Sequence, residues 1–285
     1  MTTRPPIWSL LLALLVTGCA TPTEPPPATF KGLIVFVSDR VVPWQLFAVY
    51  PDGSGLTQIT FGDGYVERAS QSPDGREIAY AEAGRLWTVS AGALKTEEIS
   101  GNWGVIHPQW SPDGSRFALA AFLTTPTSQI YIYERGARGP NRLTGGAFSN
   151  AFPAWSPDGR YITFTNLNSS RFRLFRYEVG TGKLDTLAKN DVASHFTGVY
   201  SPSGDSIAFT RDGRPALMDA DGSGVRVLGQ SPGVYEIGSW SPDGTKLVVT
   251  FSTITSTIGV LDIATGALDT LLQDGHGDWA PLWIH

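Results

Sequence analysis

Trp110-Ser111-Pro112-Asp113-Gly114 reads as the end of a strand followed by a tight turn, and the phrase returns along the chain. The other copies are Gln71-Ser72-Pro73-Asp74-Gly75, Trp155-Ser156-Pro157-Asp158-Gly159, Tyr200-Ser201-Pro202-Ser203-Gly204 and Trp240-Ser241-Pro242-Asp243-Gly244. Successive serines stand 39, 45, 45 and 40 residues apart, so one small unit has been copied and stacked. Proline pre-sets the backbone at the second turn position, Asp bonds nearby amides, and Gly accepts a positive φ. Identical turns in every copy imply a shared structural job, not catalytic or metal-binding aspartates. The Trp or Tyr before the serine in four of the five copies is expected to end its strand and wedge against the neighbouring sheet, worth roughly 1.5–3 kcal/mol on burial.

Working outward, each turn leads into a short apolar strand, such as Phe117-Ala118-Leu119 or Ile207-Ala208-Phe209. A second strand follows, such as Gln129-Ile130-Tyr131-Ile132-Tyr133, and then a more polar one, such as Asn141-Arg142-Leu143-Thr144. The runs are β-branched or aromatic and bounded by Gly, Pro, Asp and Asn, the strand-and-hairpin pattern. Beyond residue 19 no stretch keeps a helical apolar period over three turns. Residues 34–60 supply three strands of a unit lacking its first, and Trp279-Ala280-Pro281-Leu282-Trp283-Ile284 look like that missing strand. The expectation is an all-β, six-bladed β-propeller of four-stranded antiparallel blades spanning residues 30–285, its ring closed by the C-terminal strand.

These units resemble the WD40-like propeller repeats of the TolB type, which run aromatic-Ser-Pro-Asp-Gly, an Ile-Ala-Phe-like strand, an Ile-Tyr-like strand, then Arg-Leu-Thr. Arg142-Leu143-Thr144 and Met218-Asp219-Ala220-Asp221-Gly222-Ser223-Gly224 carry the likeness further, and it covers about residues 30–285. The resemblance implies the fold. For function it leaves several classes open, since the family includes periplasmic interaction proteins, protease-associated domains and some sugar-active enzymes. TolB itself has an additional N-terminal domain, for which residues 20–29 are expected to leave no room, so a Tol-Pal role is not simply carried over and a link to that system stays open.

Residues 1–18 read as a signal peptide: Arg4, then an apolar stretch from Ile7 to Val16 too short to span a bilayer. Val16-Thr17-Gly18-Cys19 resembles a bacterial lipobox, which implies cleavage before Cys19 and lipidation of its thiol. Cys19 is the only cysteine, so no disulfide framework is available. Ala20 then favours the outer membrane. Residues 19–29 hold the lipidated cysteine and a proline-rich linker, an extended spacer at about 3.1 Å per residue. Removing Arg4 leaves 20 Lys+Arg against 26 Asp+Glu, and with no basic cluster in the sequence a nucleic-acid partner is not expected. The lipid anchor is the only membrane attachment expected, and the propeller reads as a monomer.

Alternate connections of a blade emerge on opposite faces of the ring. One face carries the stereotyped turns. The other carries loops that differ in every copy, and binding is expected there. The segments entering each first strand hold Tyr65, Glu67, Arg68, Trp103, His107, Asn150, Phe152, His195, Phe196, Tyr235, Glu236, Asp278 and Trp279. Aromatics with converging polar groups are how ligand pockets are lined. The competing reading has the aromatics packing between blades and the polar groups holding water. Enzyme signals are sparse: there is no His-Glu-x-x-His, no Gly-x-Ser-x-Gly and no phosphate-cradling glycine loop. His107, His195 and His276 would hold a metal only if all reach one funnel, and Glu67 and Glu236 would lie about two blades apart. No metal, cofactor or catalytic residue is assigned. The first reading is a lipid-anchored, periplasm-facing scaffold that binds an envelope protein or a glycan or peptide ligand. The alternative is a carbohydrate- or peptide-processing enzyme with its site in the central funnel.

Overall fold

The computed structural model describes residues 29–168, 170–229, 233–252 and 255–285, with the backbone alone at 234 and 235. The expected signal peptide, Cys19, nearly all of the expected linker and the Tyr235 side chain therefore lie outside the described residues. The described residues form 24 strands and no helix. They assemble into six four-stranded antiparallel sheets arranged as a ring. Blade 1 pairs the C-terminal strand Asp278–Trp283 with Ile34–Ser38, and so closes the ring as the sequence implied. Blades 2 to 6 open with the innermost strands Val66–Gln71, Val105–Trp110, Asn150–Trp155, His195–Tyr200 and Val234–Trp240.

The repeated phrase works as a hydrogen-bonded clasp. In blades 2, 3, 4 and 6 the serine hydroxyl donates to the aspartate Oδ1 at 2.5–2.6 Å. The same carboxylate oxygen accepts the N–H two residues on, at 3.0–3.1 Å. The serine oxygen also accepts the N–H five residues on, at 2.9 Å. These bonds pull the carboxylates of Asp113 and Asp243 down to about 2. Blade 5 has Ser203 in place of the aspartate. Its hydroxyl lies 3.1 Å from Ser201 Oγ and 3.5 Å from the Asp205 nitrogen, a looser clasp.

The aromatics before these serines are buried: Trp110, Trp155, Tyr200, Trp240 and, in blade 1, Trp283. Each packs where its blade meets a neighbour, and the Trp240 Nε1–H donates to the Val199 carbonyl of blade 5 at 3.1 Å. The third-strand-to-fourth-strand hydroxyls are shared too: Thr60, Ser100 and Thr144 accept the N–H of Leu46, Leu86 and Ile130 at 2.8–2.9 Å. Between the sheets the core divides into separate apolar layers, such as Val66, Ile78 and Tyr80 packed on Val35 and Leu46.

One irregularity recurs in all six blades. Pairing between the first and second strands slips by a β-bulge midway along the first strand. Phe152, Thr197 and Ala280 sit at that point with φ of 56°, 46° and 52°. A bulge turns a side chain out of the regular alternation and re-aims it. Here it aims one residue per blade at the axis of the ring.

Candidate functional site

Four residues before each tetrad serine, or its blade 1 counterpart, stand Arg68, His107, Phe152, Thr197, Ile237 and Ala280, and all six line the central channel. Directly below them come Ala69, Pro108, Pro153, Gly198, Gly238 and Pro281, residues small or closed enough to let the strands converge. A Cβ at Gly238 would stand 2.0 Å from the Pro281 carbonyl oxygen. The cavity left at this level is about 40 Å³, room for a few waters and no more.

Three of the six form a connected group. Arg68, from blade 2, reaches over blade 1 to an ion pair with the buried Glu236 of blade 6. Its guanidinium also lies 4.5 Å from the centroid of Phe152, across the channel in blade 4. His107 stacks on the same ring at 4.3 Å. The Phe152 N–H donates to His107 Nδ1 at 3.2 Å, so that nitrogen is an acceptor and the neutral ring carries its proton on Nε2. Burial, with Arg68 beside it, holds the His107 pKa well below the usual histidine value. The group is a neutral imidazole and a paired cation gripping one phenyl ring. Glu67 is exposed and outside it, so the two glutamates do not face each other.

The other residues singled out in the sequence divide into two sets. Asn150, His195 and Asp278 begin their strands but are buried within the blades. Asn150 Nδ2 donates to Gln129 Oε1 at 2.8 Å, and its Oδ1 accepts from Asn166 at 2.8 Å. Asp278 pairs with Arg40, which also holds Asp274 at 2.6 Å. His195 Nε2 lies 3.1 Å from Asp191 Oδ2. Burial pushes the His195 pKa down despite that carboxylate. His276 stands near Asp39, so the three internal histidines have separate surroundings. Among the described residues no cluster of three or more His, Cys, Asp or Glu is placed to hold a metal.

The second set is aromatic and lies at the variable face. Tyr65 and Trp279 each meet Trp44 edge-on, at 4.9 and 4.8 Å. Trp103 packs on Tyr133 at 4.9 Å. Phe196 sits between Phe152 at 4.4 Å and Phe172 at 5.8 Å. The sequence reading missed most of the exposed members. Val42, Trp44, Phe61, Tyr65, Phe122, Phe148, Phe172 and Val192 are eight of the twelve exposed large hydrophobics among the described residues, and all eight lie at loops or hairpin ends of this one face. The signal was an aromatic or branched residue beside the hairpin connections, not only in the segments entering the first strand.

The opposite face held a second surprise. The channel widens there into a cavity of about 350 Å³, walled by Trp110, Trp155, Tyr200, Trp240 and the tetrad prolines Pro73, Pro112, Pro157 and Pro202. The residues read as wedge and turn thus also frame the wider end of the channel.

A family description, the TolB β-propeller domain, matches residues 88–217. An uncharacterised protein of Agrobacterium fabrum is 31% identical over 168 residues, covering 53% of this chain and 55% of that protein. The Tol-Pal system protein TolB of Anaeromyxobacter dehalogenans is 40% identical over 92 residues, covering 31% of this chain and 21% of its own. The crystal structure of TolB from Acinetobacter baumannii superposes with a TM-score of 0.76 at 21% identity, covering 91% of this chain and 68% of that one. Over residues 88–217 this is a TolB-like propeller. The chain spans about half the length of the Agrobacterium relative and a fifth of the Anaeromyxobacter TolB. The matched segment runs from the third strand of blade 2 to the third strand of blade 5. It includes His107, Phe152 and Phe196 but neither Arg68 nor Glu236.

Proposed function

We propose that this TolB-like propeller is a non-enzymatic binding module of the bacterial cell envelope that docks a protein partner on its variable-loop face. The carrying observation is the concentration of exposed apolar side chains there, eight of the twelve among the described residues on one face. Scattered apolar residues are ordinary on a protein surface, but their concentration on one face points to an interaction site. Aromatics such as Trp44, Phe61 and Phe172 are the residue types that anchor interfaces. The Arg68–Phe152–His107 group gives this face a rigid, closed centre. A processing site for glycans or peptides at that centre draws no support from a 40 Å³ cavity. The envelope location rests on the lipobox-like Val16-Thr17-Gly18-Cys19 and on the relatives that are Tol-Pal system proteins. On this reading Cys19 carries the lipid and the outer membrane is the destination.

The test is photo-crosslinking in cells from residues placed at Phe61 and Phe172, with Tyr50 on the opposite face as the control. A discrete protein adduct from the first two positions and not the third is expected. No adduct from either variable-face position, in cells where the chain is present, refutes the docking reading. The same cells report anchoring: acyl labelling should vanish in Cys19→Ser, and persistent labelling removes the anchor.

A further inference from the structure

The variable face is divided by charge. Over blades 4 and 5 the hairpin ends and the loop between the blades bring together Arg171, Arg173, Lys189, Arg211 and Arg214, against Asp191 and Asp212. These cations lie apart in the sequence, which is why no basic cluster was visible there. Asp191 is the hub that gathers them. Its carboxylate takes Arg211 bidentately at 2.6 and 2.7 Å, and its carbonyl accepts from Arg173 at 2.6 Å. Arg171, Lys189 and Arg214 make no ion pair among the described residues. Phe172 and Val192, 38% and 73% exposed, stand among them. A groove of about 580 Å³ runs from Lys189 and Asp191 down the edge of the two blades.

Across the channel the sign reverses. Over blades 6, 1 and 2 the corresponding connections carry Asp39, Asp63, Glu67, Glu82, Glu236, Asp274 and Asp278, against Arg40, Arg68 and Arg85. The half-buried guanidinium groups of Arg40 and Arg68 are already spent on carboxylates, leaving Asp39, Asp63 and Glu67 to face solvent.

We infer that the variable face selects a polypeptide partner whose own surface is divided to match, acidic and apolar over blades 4 and 5, and basic over blades 6, 1 and 2. This rests on the docking reading above and specifies its partner. Complementary potentials fix orientation and speed encounter more than they add raw affinity. A long polyanion such as nucleic acid, or an anionic membrane, would meet the acidic half of the same face and be repelled. Phe172 and Val192 within the basic half require apolar groups beside the acidic ones, which a polypeptide supplies.

The probe is a synthetic peptide alternating glutamate with leucine and phenylalanine, compared with its glutamine counterpart, on the full chain. The acidic peptide should bind more tightly, and added salt should weaken it. Arg171→Glu with Arg214→Glu should weaken binding by about tenfold, as expected for reversing two exposed charges at an interface. Asp63→Lys with Glu67→Lys should leave that binding unchanged or tighter, while weakening a lysine-for-glutamate peptide. Equal binding of the acidic and glutamine peptides overturns the inference, as does indifference to the Arg171 and Arg214 reversals in a variant whose melting is unaltered. Heparin capturing the chain as well as the peptide does, or phosphatidylglycerol vesicles capturing it more strongly than the neutral phosphatidylcholine vesicles a lipid anchor enters equally, would also overturn the polypeptide assignment. Because the crosslinks from Phe61 and Phe172 do not depend on charge matching, their survival would confine the failure to the partner's chemistry.

Discussion

At the scale of single residues, the clearest contrast is between the four aspartate clasps and the one serine. Asp113 and Asp243 each accept three hydrogen bonds at one carboxylate oxygen and are held near 2, below the ordinary 3.8. Ser203 has only a 3.1 Å contact with Ser201 and a 3.5 Å contact with the Asp205 nitrogen. Ser203→Asp should therefore stabilise the fold at neutral pH. The gain is about 0.5–1 kcal/mol, reduced from the usual worth of a charged acceptor because the turn is exposed. Its pH dependence follows from the depressed carboxylate. The contribution is complete above the unfolded value near 4 and is lost as pH falls towards about 2. Melting curves at pH 7 and near pH 2 would show a higher Tm only at pH 7. An unchanged or lower Tm at pH 7 would mean that the serine is not the weak clasp it looks. The period, the tetrads and their structural role were legible because they depend on turn chemistry within five residues of one another. Arg68 and Glu236 were legible as residues but not as a pair. Their 168-residue separation closes only when the ring does.

At the scale of the element, the decisive feature is the bulge in each innermost strand, and it left no mark in any single residue type. Arg, His, Phe, Thr, Ile and Ala occupy the same position in the six blades. What they share is a fixed offset from the tetrad and a slip in pairing with the second strand. A slip is a property of two strands together, so strand patterns read one at a time pass over it. Strand order and closure, by contrast, were readable from alternation and counting. The bulges also explain the small residues just below, where strands from different blades crowd the axis. Gly238→Ala would put a methyl 2.0 Å from the Pro281 carbonyl oxygen and 2.9 Å from that of Val248, both backbone atoms that cannot step aside cheaply. A loss of at least about 1–3 kcal/mol is expected, as for other overpacked sites. At Gly198 the nearest atoms are Leu174 methyls at 3.1 Å, and a flexible side chain can yield. Gly198→Ala should thus cost less than Gly238→Ala. Urea midpoints decide it: equal values for the two variants would show that the channel wall is looser than its packing indicates.

At the scale of the whole molecule, the ring makes every blade depend on one strand contributed from the far end of the chain. The last strand pairs Trp283 with Ile34, Leu282 with Val35 and Trp279 with Val37. It is also tied outside its own blade. The Trp283 N–H donates to Ser239 of blade 6 at 2.7 Å, and the His285 N–H to Gln71 of blade 2 at 2.6 Å. Gly32 donates to the Ile284 carbonyl at 2.9 Å, fixing the first described residues to the last. Deleting residues 279–285 would cut these ties at once and remove the buried Trp283 and Ile284. Each such side chain is worth about 1.5–3 kcal/mol, so the two alone would take a large share of a domain's usual 5–15 kcal/mol. The loss would also bare the apolar strand Ile34–Ser38 as an unpaired edge. Such an edge recruits other chains. The truncated chain should therefore collect in aggregates, and any soluble fraction should lose near-ultraviolet dichroism from its tryptophans. Trp283→Ala keeps the strand and its backbone bonds while leaving a cavity, and should cost about 3–5 kcal/mol without driving aggregation. The two outcomes separate edge protection from simple loss of packing. If the truncated chain stayed soluble and melted like the intact one, blade 1 would be stable with three strands. The ring would then owe its integrity to contacts between blades rather than to the closing strand.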